Sequence, residues 1–226
     1  MALQVHGSLT KTGFAYLSLR ELIITGELTP GTAIQQGDLA KKMGVSTTPL
    51  REAIRRLSAE GLISLSAHKD ARVTQVTADE ARHLLEVRDQ LDPLAAGLAA
   101  ARRTEDELTR IIQASSQLQP LSEGVDLPAL MAHREFHRAI YVASHNPILV
   151  DLLERLWDKA DRYRLIGLQS RGDSAAESSR VAAEHRELVD AITVGDSKRA
   201  EATMRRHIQG SLGGRAIEVL EATSHT

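Results

Sequence analysis

Four of the nine histidines in this chain are spaced so that they could share one ion. His133 and His137 stand four residues apart, which stacks their rings on one face of a helix. Met131, Phe136, Ile140 and Tyr141 turn that face toward a core. His185 lies beside Leu188, Val189 and Ile192, and His207 lies between Met204 and Ile208, again along apolar stripes of helical period. Imidazole nitrogen is a borderline-soft donor that suits zinc, nickel, copper or iron(II). Three helices of a bundle can converge such rings on one ion, because bundle sites are built from inward-facing side chains. A histidine on an apolar face is also commonly a core residue with a satisfied hydrogen bond, so the i,i+4 pair alone leaves both readings open.

Metal-assisted hydrolysis fits these residues poorly. The helical zinc-protease motif needs a Glu directly after its first His, whereas HREFH places Glu135 two residues on. The inverted motif fails because Phe136 precedes His137. Glu184 adjoins His185, but successive helical residues do not share a face. His83 and His145 read as surface or supporting residues, His68 as a turn residue, and His6 and His225 as terminal.

A second chemistry is written from Leu39 to Leu62, LAKKMGVSTTPLREAIRRLSAEGL. Leu39, Ala40 and Met43 give one short helix an apolar face, and Gly44 stops it where a left-handed residue caps a helix. Ser46 is placed as the N-cap of a second helix, its hydroxyl expected to accept an orphan N–H, with Pro49 in the first turn. Leu50, Ala53, Ile54 and Leu57 then face inward and leave Thr47, Thr48, Arg51, Arg55 and Arg56 on or beside the outer face. Residues 62–65 and 72–76 alternate at period two around Ala67-His68-Lys69-Asp70, which predicts a hairpin. A solvated basic face would explain the charges alone. Helix, capped turn, cationic helix and basic hairpin tip together predict a winged helix-turn-helix that enters a DNA groove, with Ser46, Thr47, Thr48, Arg51, Arg55, Lys69 and Arg72 as contacts.

The chain must supply elements for both chemistries, and its 226 residues suffice for two modest domains. Cysteine is absent, which excludes disulfides and thiolate metal sites. No apolar run reaches membrane-spanning length and no signal-peptide pattern opens the chain, so a cytoplasmic protein with no membrane partner is expected. The net charge of −2 hides an asymmetry: residues 1–76 carry 9 Lys+Arg against 6 Asp+Glu, a balance of +3, and the remainder carries 19 against 24, a balance of −5. The basic excess lies with the winged helix, which begins with a helix near residues 10–25 closed by Gly26 and Pro30-Gly31. From residue 77 the chain reads as six helices, near 78–102, 104–118, 127–144, 147–169, 176–194 and 197–222. Thr104 with Glu107 forms a capping-box pattern, Asn146-Pro147 a cap and N1 proline, and Gly195-Asp196 a stop and a start. The predicted fold is therefore mainly α: a DNA-binding domain over 1–76 and an all-helical bundle over 77–226.

These features together resemble the GntR superfamily of bacterial regulators, in its FadR-like branch with a C-terminal FCD effector domain. The residues that carry the resemblance are Gly26-Glu27-Leu28-Thr29-Pro30-Gly31, Leu39-Ala40, Gly44-Val45-Ser46, Thr48-Pro49-Leu50-Arg51-Glu52-Ala53, Arg56-Leu57 and Glu60-Gly61-Leu62. Glu86-Val87-Arg88, Leu91-Asp92, Phe136-His137, Ser144 with Asn146, Glu184-His185 and His207 continue it through the second half. The resemblance implies an antiparallel bundle that holds a divalent metal through one Asp or Asn and three His, with a small carboxylate effector at the metal. His137, His185 and His207 fall on the family histidines, and His133 stands where Asp is usual. Four neutral ligands would leave the ion its full formal charge, which favours an anionic effector. Arg88 falls where the family often has a cavity-facing Arg, a carboxylate clamp by its bidentate geometry; a salt bridge is the alternative. Thr47 and Gly37 stand where relatives carry Arg, so guanine reading at those places is lost.

The resemblance thus implies a non-enzymatic, homodimeric transcription factor, of which repressors are the commoner kind. Its partners would be palindromic double-stranded operator DNA and a small carboxylate, and its cofactor a divalent transition metal: zinc first, with nickel, iron or manganese as alternatives. A sensor in which the ion itself is the signal, and a helical metalloenzyme acting on a small acid, are the competing readings. Ligation requires neutral imidazole, so the ion is expected to leave as pH falls toward about 5.

Overall fold

The computed structural model describes residues 10–66, 70–119, 127–170 and 175–224. The chain divides into two compact units, Met1–Val76 and Thr77–Thr226.

In the first unit, α1 (Lys11–Ile24), α2 (Gln36–Met43) and α3 (Thr47–Ala59) precede a two-stranded antiparallel hairpin, β1 (Ile63–Leu65) and β2 (Ala71–Val73). Ile63 pairs with Val73 and Leu65 with Ala71, and an isolated bridge joins Ala33 to Arg72. Leu19 and Ile23 from α1, Leu50, Ile54 and Leu57 from α3, and Leu62, Ile63 and Val73 from the hairpin form one core. The α3 pattern therefore holds, with its apolar side buried and Thr47, Thr48, Arg51, Arg55 and Arg56 exposed. Gly44 ends α2 at φ 68°, a left-handed position where a side chain would be strained.

One expectation fails at the start of α3. Ser46 occupies the N-cap in extended conformation, yet its hydroxyl accepts no capping hydrogen bond. With Thr47 and Thr48 as the first two helical residues, the third is Pro49, which has no N–H to offer. The proline that suits the first turn removes a donor that the serine would have used.

The second unit comprises α4 (Ala78–Arg102), α5 (Glu105–Ser116), α6 (Leu127–Ala143), α7 (Pro147–Ser170), α8 (Ala175–Val194), α9 (Ser197–Gln209) and α10 (Leu212–Ser224). The capping box at Thr104 and Glu107 is formed on both sides, Asn146 accepts from the Leu149 N–H, and Asp196 caps α9. The expected helix over 197–222 is instead two helices, so the predicted six-helix bundle has seven helices among the described residues. Gly210 ends α9, and its carbonyl accepts from the Arg180 guanidinium of α8 at 2.7 Å. A Cβ on Gly210 would stand 2.7 Å from that guanidinium. A poor helix former with a side-chain partner for its carbonyl makes a natural stop.

Helix α4 continues through Pro93, which removes the N–H that would pair with the Asp89 carbonyl. Arg205 of α9 donates to that carbonyl at 2.7 Å and to the Asp89 carboxylate at the same distance. The core joins Ala96, Ala99 and Ala100 of α4 to Phe136 and Ile140 of α6, Leu188 and Ile192 of α8, and Met204 and Ile208 of α9. A second cluster packs Tyr141 against Leu149, Leu153 and Trp157. No described helix is long and apolar enough to cross a membrane.

Candidate functional site

Helices α6, α8 and α9 bring His133, His137, His185 and His207 together. One nitrogen from each can be chosen so that all four lie within 4.8 Å of one another, and all four side chains are buried. Neighbouring ring centroids are 4.5 Å apart for His133 and His137 and 4.6 Å for His185 and His207. Neither ring nitrogen of His137 has a hydrogen-bond partner, and Nε2 of His185 has none. Buried polar atoms without partners each cost roughly 1–3 kcal/mol. Ligation would satisfy them, and an all-nitrogen donor set suits a transition ion better than magnesium or calcium. The residues present therefore fit a divalent transition metal.

The cluster is held as neutral imidazole. Burial pushes His133, His137 and His185 down from their ordinary value, His185 to about 2, and the neighbouring rings and Arg164 push in the same direction. Burial lowers His207 too, against an opposing pull from Glu184. His207 donates from Nδ1 to the Glu184 carboxylate at 3.0 Å, which fixes the tautomer and leaves Nε2 with its lone pair free to ligate. Glu184 is in turn held by Arg180. Burial pushes the Glu184 carboxyl up, but His207 and Arg180 more than offset it and leave it below the usual range. Adjacency to His185 hides this role in the sequence; the visible signal is the Arg180–Glu184 pair at i,i+4. Glu184→Ala is expected to weaken metal binding about 10–100-fold, with Glu184→Gln retaining more affinity through its amide oxygen. Competition against a chromophoric chelator measures both.

Two arginines flank the rings. Arg88, the expected clamp, is buried and forms a bidentate pair with Asp92 of its own helix at 2.8 and 3.2 Å. Asp92 also accepts from the Tyr141 hydroxyl at 2.5 Å. Burial lowers the Arg88 pKa, but Asp92 more than compensates, and the net shift is upward. Arg164 of α7 is the arginine that sequence reading misses, because Asp161-Arg162-Tyr163-Arg164 resembles a solvated charge run. Its guanidinium faces both ring nitrogens of His133 at 2.7 Å. A neutral imidazole accepts at one nitrogen only, so one of these contacts is a hydrogen bond. Arg164 Nε has no partner, and Asp161 stands 3.9 Å away. Burial lowers its pKa to about 10, which leaves it charged at neutral pH. A cavity of about 380 Å³ opens at this end, lined by Arg164, His133, His185 and His207 but not by Arg88. Trp157 packs at 5.4 Å from His137 and 5.8 Å from His133.

In the first unit Thr47, Thr48, Arg51 and Arg55, four of the expected DNA-reading residues, are exposed on α3. Arg51 donates to Thr47 Oγ1 at 3.3 Å and has no carboxylate partner among the described residues. Arg55 pairs with Glu52 at 2.9 Å. Arg56 lies over the Tyr16 ring at 3.8 Å and bonds Glu60, a structural role. Ser46 and Thr48 are exposed, and Arg72 of β2 donates to the Gly31 carbonyl at 3.3 Å. Lys69 and His68 lie outside the described residues.

Residues 11–73 match the family model of bacterial regulatory proteins of the gntR family, and residues 83–210 match the FCD domain. An HTH-type transcriptional regulator in an unstable DNA locus of Streptomyces ambofaciens is 31% identical over 200 residues, covering 86% of this chain and 80% of the relative. The HTH-type transcriptional repressor GlaR of Escherichia coli (strain K12) is 29% identical over 199 residues, covering 85% of this chain and 90% of that protein. Among solved structures, E. coli McbR/YncC superposes with a TM-score of 0.76 at 22% identity, covering 96% of this chain and 99% of that one. The chain is accordingly a DNA-binding transcriptional regulator of the GntR family, with the winged helix joined to an FCD domain.

Proposed function

We propose that this regulator is a repressor acting as a homodimer on palindromic operator DNA, and that a small carboxylate bound at a metal centre in the FCD domain sets its operator affinity. The observation that carries the reading is the convergence of four buried imidazoles, three of whose nitrogens lack any partner. His137, His185 and His207 would hold the ion, and His133 would join them only by giving up its hydrogen bond from Arg164, with zinc the first expectation and nickel, iron or manganese the alternatives. When bound, the ion supplies a positive centre for a carboxylate oxygen. Glu184 orients His207. Arg88 can take an effector carboxylate only by releasing Asp92, since its bidentate face is already engaged.

In the winged helix Arg51 is the leading DNA contact, with no acidic partner among the described residues, and Ser46, Thr47, Thr48, Arg55, Lys69 and Arg72 are the further expected contacts. By linkage, an effector that loosens DNA binds more weakly to the DNA-bound form. Arg51→Ala is expected to weaken operator binding about tenfold or more in a gel-shift titration at fixed salt, with metal content unchanged. Unaltered DNA affinity would refute the assignment. Chelation that changes operator affinity with no organic acid present would instead favour the ion itself as the signal.

A further inference from the structure

His133 differs from His137 and His185 in that its lone pair is already taken. Both ring nitrogens of His137 and Nε2 of His185 lack hydrogen-bond partners, whereas the two terminal nitrogens of Arg164 stand 2.7 Å from Nδ1 and Nε2 of His133. A neutral imidazole has one such lone pair, which can accept from a guanidinium or bind an ion but cannot do both. Both side chains are buried, so water is a poor substitute for either partner. The guanidinium nevertheless has somewhere to go. Asp161, one turn back on α7, lies 3.9 Å from it, and Arg164 lines the cavity of about 380 Å³, which leaves the side chain room to turn. Two partners within reach of one side chain make a two-position element, and the His133 position is the one occupied in the structure.

We propose that Arg164 is a built-in competitor for the metal centre: it occupies the His133 lone pair, and an ion gains a fourth imidazole only as the guanidinium leaves His133 for Asp161. This rests on the reading that the histidines take a divalent ion, and it adds a residue that weakens binding where Glu184 supports it. A side chain bonded to a ligating ring ordinarily strengthens the site. The sign reverses here because Arg164 donates to a nitrogen that would have to ligate, whereas Glu184 accepts from the His207 nitrogen that does not.

Zinc titration of the full-length, metal-free protein against a chromophoric chelator tests that sign. Arg164→Met keeps most of the bulk and removes the donors, and it should lower the zinc Kd about tenfold or more, the factor that one hydrogen bond to a charged group represents. Arg164→Lys, which retains the charge and a donor, should show a smaller gain. In a His133→Phe background no lone pair is contested, and the gain from Arg164→Met should vanish. A zinc Kd that rises or stays unchanged in Arg164→Met, or a gain that persists undiminished beside His133→Phe, would overturn the competition and leave the metal centre standing. Should Arg164→Met misfold, as judged by circular dichroism, nitrogen NMR of the unsubstituted protein decides the matter. One equivalent of zinc should move the His133 ring and Arg164 guanidinium signals together; an Arg164 signal that stays in place while the His137 ring shifts would overturn the proposal. Failure of zinc to bind the unsubstituted protein and every variant would overturn the metal-centre reading as well.

Discussion

His137→Leu is expected to abolish stoichiometric metal binding, weakening affinity by at least about 100-fold, and at the same time to make the metal-free protein more stable. The two effects have opposite signs because they arise from the same atoms. His137 is fully buried, and both its ring nitrogens lack partners. In the metal-free fold they are polar atoms kept from water with nothing in return, a cost of roughly 1–3 kcal/mol for each such group. Leucine fills much of the same space among Phe136, Tyr141 and Trp157 without that cost. Loss of a supporting partner alone typically costs 10–100-fold in metal affinity, so loss of a ligand should cost more. Elemental analysis after incubation with zinc gives the first quantity, and urea unfolding of chelated protein gives the second. A variant that keeps one equivalent of metal, or whose metal-free form is markedly less stable, would remove His137 from the site.

The second large effect is acid sensitivity of the metal-free protein. The imidazoles of the cluster are held neutral by burial and by one another, below the ordinary value of 6.5, with His185 at about 2. Unfolding releases them to that ordinary value. Between the folded and unfolded values the unfolded chain binds more protons than the folded one, so stability rises with pH throughout that window. The contribution is fully present above about pH 7 and is lost progressively as pH falls below about 6.5, at up to about 1.4 kcal/mol per pH unit for each histidine. Four such groups acting together can consume a stability of 5–15 kcal/mol within a few pH units. Metal-free protein should therefore unfold cooperatively in mild acid, and the metal-loaded form should unfold at lower pH because bound metal excludes the protons. Burial also changes what release of the ion near pH 5 would mean. Individual rings resist protonation at that pH, so metal loss should coincide with loss of helical circular dichroism rather than precede it. Ion release from a fully folded protein at pH 5 would contradict this.

Much of this architecture is legible in the chain because it is written in local chemistry. Gly44 must be left-handed where α2 stops, Thr104 and Glu107 cap each other, and the α3 stripe buries itself with its arginines outward. The histidines were legible for the same reason: their apolar neighbours recur at helical spacing. What stayed hidden depends on pairs distant in sequence. Glu184 serves His207 rather than its neighbour His185, and only the approach of α8 to α9 shows that. Arg164 sits in a charged run that reads as surface, yet α7 buries it against His133. The stop at Gly210 depends on Arg180, thirty residues earlier. Ser46 shows that local rules can also collide, because Pro49 withdraws a donor that the serine cap needs.

Trp157 is the chain's single tryptophan, and its indole lies within 6 Å of the ring centroids of His133 and His137, with the guanidinium of Arg88 at 5.2 Å and that of Arg164 at 5.9 Å. All of the protein's indole fluorescence therefore originates beside the four histidines and the two arginines. Emission colour and intensity become a private optical channel for that one place, needing no label and no mutation. A quenching ion such as nickel or copper, bound among the histidines, would register there before any DNA is added.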